Sequence, residues 1–252
     1  MTISELKRDA RIKLSGKWGL AIGINLVYML LYFILGIIAS FIGNAIVLLI
    51  LMLALAVVAI PLSYGITASM MKLSREEQVK VTDFITIGFN NFSKPILLYL
   101  SVLVRLLLPF IVMVGILLIG SLADSSILSV VVLIACIACL IWLFYKALSY
   151  TLSTFLLVDN PEASSKDIIK KSCELMNGRK LKYFGLVFSF IGWILLFGII
   201  SAIIQSFAGE LLGNIISYIP SLILAPYIAF SEINFYEDAA NIANVNKPSV
   251  EE

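Results

Sequence analysis

Arg105 is the one ionisable side chain near the middle of a long apolar run, so it poses the first chemical question. It lies ten residues past Pro95, which puts its Cα roughly 15 Å into a helical span at 1.5 Å per residue. A charge at that depth costs about 2.5–3.5 kcal/mol on insertion scales, so it needs a partner or water. Helical side chains tilt toward the N-terminus, which carries its head back toward the near face. Lys146, Glu232 and Asn25 are polar groups set in or beside apolar runs that could meet it. Together the four form a candidate intramembrane polar cluster. Glu232 paired with Arg105 or Lys146 would join helices by an ion bridge, which is the preferred reading. The same residues lining a cavity would make a transport path, the second reading.

Other chemistry is sparse. The chain has no histidine, which removes HExxH metalloproteases, Ser-His-Asp triads and histidine-held haem. It holds no Walker A loop, and Glu76-Glu77 sits in a charged segment without partner ligands. Cys136 and Cys139 make a CxxC inside an apolar helical run, and Cys173 leaves the set odd. Their surroundings favour small packing residues over a metal or redox pair. No catalytic, cofactor-binding or metal-ligating residue is assigned. The expectation is a protein that is not an enzyme and has no cofactor.

The elements around these residues are those of a membrane protein. Of 252 residues, 61% are hydrophobic and 13% charged, against about half and a quarter in soluble domains. Apolar runs long enough to cross ~30 Å of hydrocarbon recur along the chain. The fold expected is an all-α integral membrane protein, with about six transmembrane helices arranged as three hairpins plus cytoplasmic amphipathic helices. The spans fall near 18–42, 45–71, 95–119, 126–150, 183–206 and 211–236. The first run is too long for a signal-peptide core and reads as a retained span. Gly43-Asn44, Gly120 to Ser125 and Phe207 to Glu210 mark the short turns, and Gly213-Asn214 repeats the Gly-Asn pair near the last of them. Gly19 and Gly23 form a GxxxG, which predicts a close helix approach.

Charge orients the chain. Fifteen of its eighteen basic residues lie in 1–17, 72–94 and 159–182, and the short turns hold none. Basic residues are retained on the cytoplasmic side, so both termini and the inner loops 72–94 and 159–182 are expected there, in a multi-pass cell-membrane protein. That leaves a membrane domain over 18–236 and a flexible cytoplasmic tail over 237–252.

Residues 1–17 read as an amphipathic helix. Thr2 and Glu5 have capping-box spacing, Ile3, Leu6, Ala10 and Leu14 form a stripe, and Lys7, Arg8, Arg11 and Lys13 a basic flank. Such a helix either lies on an anionic leaflet or is solvated or packed on a partner. In loop 72–94, Thr82-Asp83 introduce a short apolar helix whose Phe84, Ile85, Gly88, Phe89 and Phe92 need lipid or protein cover. In 159–182, Pro161 suits the first helical position, and Gly178 suits the left-handed stop. Between them Ile168, Ser172, Leu175 and Met176 form an apolar face, a candidate surface for a protein partner on the cytoplasmic side. The remaining expected partners are membrane lipids. The basic loops are explained by topology, and no nucleic-acid partner is expected.

Several short motifs carry a family resemblance: Gly16-Lys17-Trp18, Gly88-Phe89, Asp159-x-Pro161, Ser172-x-x-Leu175-Met176-x-Gly178, Phe188-Ser189-Phe190-Ile191-Gly192-Trp193, Pro226-Tyr227 and Phe235-Tyr236. With these the chain resembles the bacterial integral membrane proteins grouped as domain of unknown function 975. The resemblance implies a six-span bacterial protein and supplies no catalytic residue. The function expected is non-enzymatic, binding a partner or organising a membrane complex through cytoplasmic helices. The alternative is a transporter or lipid-handling protein with a cavity near Arg105.

Overall fold

The computed structural model describes residues 1–121 and 126–245. Among these it holds ten α-helices and no strand. Among the described residues, five helical stretches are long and apolar enough to cross a membrane: Trp18–Ser40, Ala45–Ser74, Ser93–Gly120, Ser129–Asp159 and Lys180–Phe207. The chain divides into two compact units, residues 1–93 with 181–252, and residues 94–180.

The first unit contains α1 (Ile3–Leu14), α2 (Trp18–Ser40), α3 (Ala45–Ser74), α4 (Asp83–Asn90), nearly all of α9 (Lys180–Ala208), and α10 (Glu210–Val245). Asn44 starts α3 by accepting from the amides of Ile46 and Val47 at 2.9 and 3.2 Å, which satisfies two otherwise orphaned donors. The buried residues gather at the basic ends of the helices: Leu6 and Leu14 of α1, Met70 and Met71 of α3, Phe190 of α9, Phe230 and Phe235 of α10. Farther along, Phe33, Ile38, Leu49, Leu53 and Leu195 are exposed. Apolar exposure on this scale calls for cover by lipid or by protein.

Helix α4 is held by two glycines. A Cβ on Gly65 would collide with the Phe84 carbonyl, and one on Gly88 with the Pro61 carbonyl. Backbone therefore meets backbone where α3 crosses α4, which only residues without a side chain permit. Phe84 is fully buried at this crossing, while Phe89 and Phe92 stack at 6.1 Å on the exposed side. The GxxxG expected to approach another helix does not do so at both positions. Gly19 faces open space, and a Cβ on Gly23 would meet only the Val81 side chain. The spacing is satisfied by sequence alone and no backbone crosses there.

The second unit contains α5 (Ser93–Ser121), α6 (Ser126–Tyr150), α7 (Ser153–Asp159) and α8 (Ser165–Met176). Pro161 does not open α8. Asn160 ends α7, residues 160–163 make a turn, and Ser164 is the cap, accepting from the Asp167 amide at 3.2 Å. A hydroxyl that satisfies a helix amide outcompetes a proline whose only merit is a preset φ. Gly178 takes φ +73°, the left-handed stop its position predicts.

Two further expectations change at the chain's end. Gly213-Asn214 lies within the first turns of α10, and the turn before it is Gly209 alone, at φ +86°. Residues 237–245 continue α10 instead of fraying, because Glu237 and Asp238 are tied by ion pairs and Ala239 is buried. The tail over 246–252 and the turn residues 122–125 lie outside the described residues.

Candidate functional site

Helix α1 begins with the reciprocal cap its sequence predicts. The Thr2 amide donates to Glu5 Oε2 at 2.6 Å, and the Glu5 amide to Thr2 Oγ1 at 3.3 Å. The Thr2 amide also holds the Glu5 carboxyl below its usual range. One face of α1, Leu6, Ala10 and Leu14, is completely buried where α1 packs on α10. Burying each leucine is worth roughly 1.5–3 kcal/mol relative to leaving it in water. Polar bonds fix the register: Asn234 Nδ2 donates to the Leu6 carbonyl at 3.1 Å, and Lys13 pairs with Glu237 at 2.8 Å. The cover for this face of α1 is supplied by the same chain.

A second face of α1 is left over, with Ile3, Lys7 and Arg11 at four-residue spacing. Together with α9 and α10 it encloses a cleft of about 830 Å³, within the ~300–1,000 Å³ typical of small-molecule sites. Aromatic contacts hold α9 and α10 together beside it: Tyr183 meets Phe235 and Phe190 meets Tyr227, each with ring centroids 5.2 Å apart. Ser189, Trp193 and Phe197 line the cleft from α9, and Pro220, Ile223, Leu224 and Tyr227 from α10. Ser189 and Tyr227 share one end of the cleft, and the apolar residues of both helices lie beyond them. From Ser189 to Phe197 is about 12 Å at 1.5 Å per residue.

Lys7 and Arg11 stand at the polar end. Lys7 Nζ donates to Ser189 Oγ at 3.0 Å and lies 4.3 Å from the Phe190 ring centre. Burial pushes the Lys7 ammonium below its ordinary range, and the Arg11 charge adds to the effect. Like charges one helical turn apart cost an isolated helix about 0.2–0.5 kcal/mol. The arrangement is therefore destabilising as it stands.

The polar cluster expected from sequence is distributed over both units. In the first, Asn25 Nδ2 donates to the Ala21 carbonyl of its own helix at 2.9 Å, and Glu232 Oε1 accepts from the Tyr183 hydroxyl at 2.6 Å. In the second, Arg105 donates to the Ser101 carbonyl at 2.8 Å, with its head turned toward the helix N-terminus as expected. Arg105, Lys146 and Lys180 all act electrostatically on Cys173, though burial wins and raises that thiol. A pocket of about 200 Å³ in this unit is lined by Leu98, Val102, Leu106, Tyr150 and Ser153. The larger cavity sits at Lys7 and Arg11, in the unit that does not contain Arg105.

The candidate partner face on α8 is covered by its own unit. Ile168, Ser172, Leu175 and Met176 are all buried where α8 packs on α6 and α7. Ser172 Oγ donates to the Ser149 carbonyl at 2.8 Å. The apolar stripe is thus used to hold α8 in place.

The long apolar helices have the length and composition of those in multi-pass helical membrane proteins. The chain belongs to the family described as "protein of unknown function (DUF975)", whose profile matches residues 1–243. No curated protein and no solved structure matches the chain.

Proposed function

We propose that this is a non-enzymatic, lipid-handling membrane protein that binds one amphiphile in the cleft between α1, α9 and α10. The observation that carries the reading is the grading of that cleft along the helix axes. Lys7, Arg11, Ser189 and Tyr227 lie at one end, and Trp193, Phe197, Pro220, Ile223 and Leu224 beyond them. A site for a wholly polar solute would not extend through five apolar side chains, and a purely apolar one would not admit two cations. Burial of the α8 face weighs against the partner-organising reading. Helix α10 runs unbroken through Pro220 and Pro226, whereas transport sites are typically built on interrupted helices.

In this reading α10 is the sixth span, and α1, α4 and α8 lie at the cytoplasmic face of a bacterial cell membrane. The basic segments on that side support the orientation. The cleft's cations would then lie at head-group level and its apolar end within the leaflet.

Native mass spectrometry of the detergent-purified protein tests the reading. The expected result is one lipid retained at low detergent and lost in Leu224→Trp, which fills the apolar end. Retention of equal lipid by the filled variant contradicts it.

A further inference from the structure

We infer that the occupant is a phospholipid of net negative charge, with its phosphate between Lys7 and Arg11 and an acyl chain running toward Phe197 and Pro220. This rests on the lipid-binding reading above and adds the head group.

Around α1, Glu5 is used in the helix cap, Asp9 pairs with Arg8 at 3.6 Å, and Glu237 pairs with Lys13 at 2.8 Å and Arg75 at 3.4 Å. Asp238 pairs with Lys182 at 2.9 Å. Each carboxylate is engaged elsewhere. Lys7 and Arg11 have no carboxylate partner among the described residues, although they are neighbours on one helix face.

Topology alone explains positive charge near the cytoplasmic face, but a charge placed only for topology would point into water. Lys7 is instead drawn against Ser189 and the Phe190 ring. An ammonium has three donors, and Ser189 takes one of them. Arg11, one turn along, makes no hydrogen bond to a described residue. Its planar fork suits the paired oxygens of a phosphate. Basic pockets between membrane helices are general sites for anionic head groups.

The apolar half of the cleft separates a lipid from free phosphate. Inorganic phosphate would occupy only the Lys7–Arg11 end and leave Trp193, Phe197, Ile223 and Leu224 uncovered. Two cations facing one phosphate also favour a net-negative lipid over a zwitterionic one, whose own ammonium would be repelled.

The test measures binding of phosphatidylglycerol, phosphatidylcholine and inorganic phosphate to the full chain in detergent micelles, by native mass spectrometry for the lipids and calorimetry for phosphate. The variants are Lys7→Gln/Arg11→Gln, Ser189→Ala, and Arg8→Gln as a control for general surface charge, each checked for an unchanged elution profile. The expected result is a preference for phosphatidylglycerol over phosphatidylcholine of about tenfold or more, abolished in the double variant, weakened in Ser189→Ala and intact in Arg8→Gln. Phosphate alone binds weakly. Loss of the preference in Arg8→Gln as much as in the double variant overturns the head-group assignment, as does its survival in the double variant. Equal, Leu224→Trp-sensitive binding of both lipids refutes the head group while sparing the lipid-binding reading. Tight phosphate binding without lipid binding, or no lipid binding at all, refutes both.

Discussion

Lys7 and Ser189 are separated by 182 positions in the chain, yet the lysine ammonium donates to the serine hydroxyl across 3.0 Å. This bond joins the amphipathic first helix to α9, one of the helices long and apolar enough to cross a membrane. It also turns a residue that looks like an ordinary topology charge into the wall of a cleft. The bond depends on the docking of α1 through Leu6, Ala10 and Leu14, since that face sets the rotation of the helix.

The crossing of α3 and α4 gives a prediction independent of function. Gly65→Ala or Gly88→Ala places a methyl against backbone that has no flexible end to yield. Each should cost about 1–3 kcal/mol, the usual scale of overpacking. Gly19→Ala, facing open space, should be neutral or slightly stabilising because it removes a helical glycine. Thermal unfolding in detergent compares them, and equal melting of all three variants would refute the crossing.

Asp238 predicts an acid-sensitive clamp. Burial acts to raise its carboxyl, but hydrogen bonds from the Lys182 ammonium and the Met1 amino group outweigh it, so the net direction is below the ordinary 3.8. A depressed carboxylate contributes stability that is present above its unfolded value and lost as pH falls through the folded one. Wild type should therefore lose melting temperature below pH 3.8. Asp238→Asn should melt lower at neutral pH and lack that contribution to the acid loss. Parallel pH profiles for the two proteins would contradict this.

Orientation is checked by cysteine labelling in whole cells, in a background with Cys136, Cys139 and Cys173 replaced. Gly43→Cys, in the turn between α2 and α3, should react with an impermeant maleimide. Ala163→Cys, in the turn before α8, should react only after permeabilisation. The reverse pattern would invert the chain and remove the cytoplasmic placement of the cleft's cations.

Features that depend on neighbours in sequence were legible before the structure. Thr2 and Glu5 announce their capping box, Gly178 its helix stop, and five of the six expected spans their long apolar helices, because each is settled within a few residues. What depends on distant contacts was not. Gly65 and Gly88 belong to no common spacing, so their meeting leaves no motif, while Gly19 and Gly23 carry a motif and have no crossing. The α8 stripe reads in sequence as a partner surface, because nothing near it names α6 and α7 as its cover. Lys7 and Arg11 read as a basic flank because nothing near them in sequence names Ser189, Trp193 or Leu224 as the opposite wall.

The central claim is that a lipid occupies the cleft between α1, α9 and α10, and crosslinking in membranes tests it most directly. A phosphatidylglycerol with a photoactivatable acyl chain is incorporated, irradiated, and its adducts mapped by peptide mass. The account predicts adducts concentrated on Trp193, Phe197, Ile223 and Leu224, and strongly reduced in Leu224→Trp. Adducts spread evenly over exposed apolar residues such as Phe33, Leu49 and Leu195, unaffected by that variant, would contradict it.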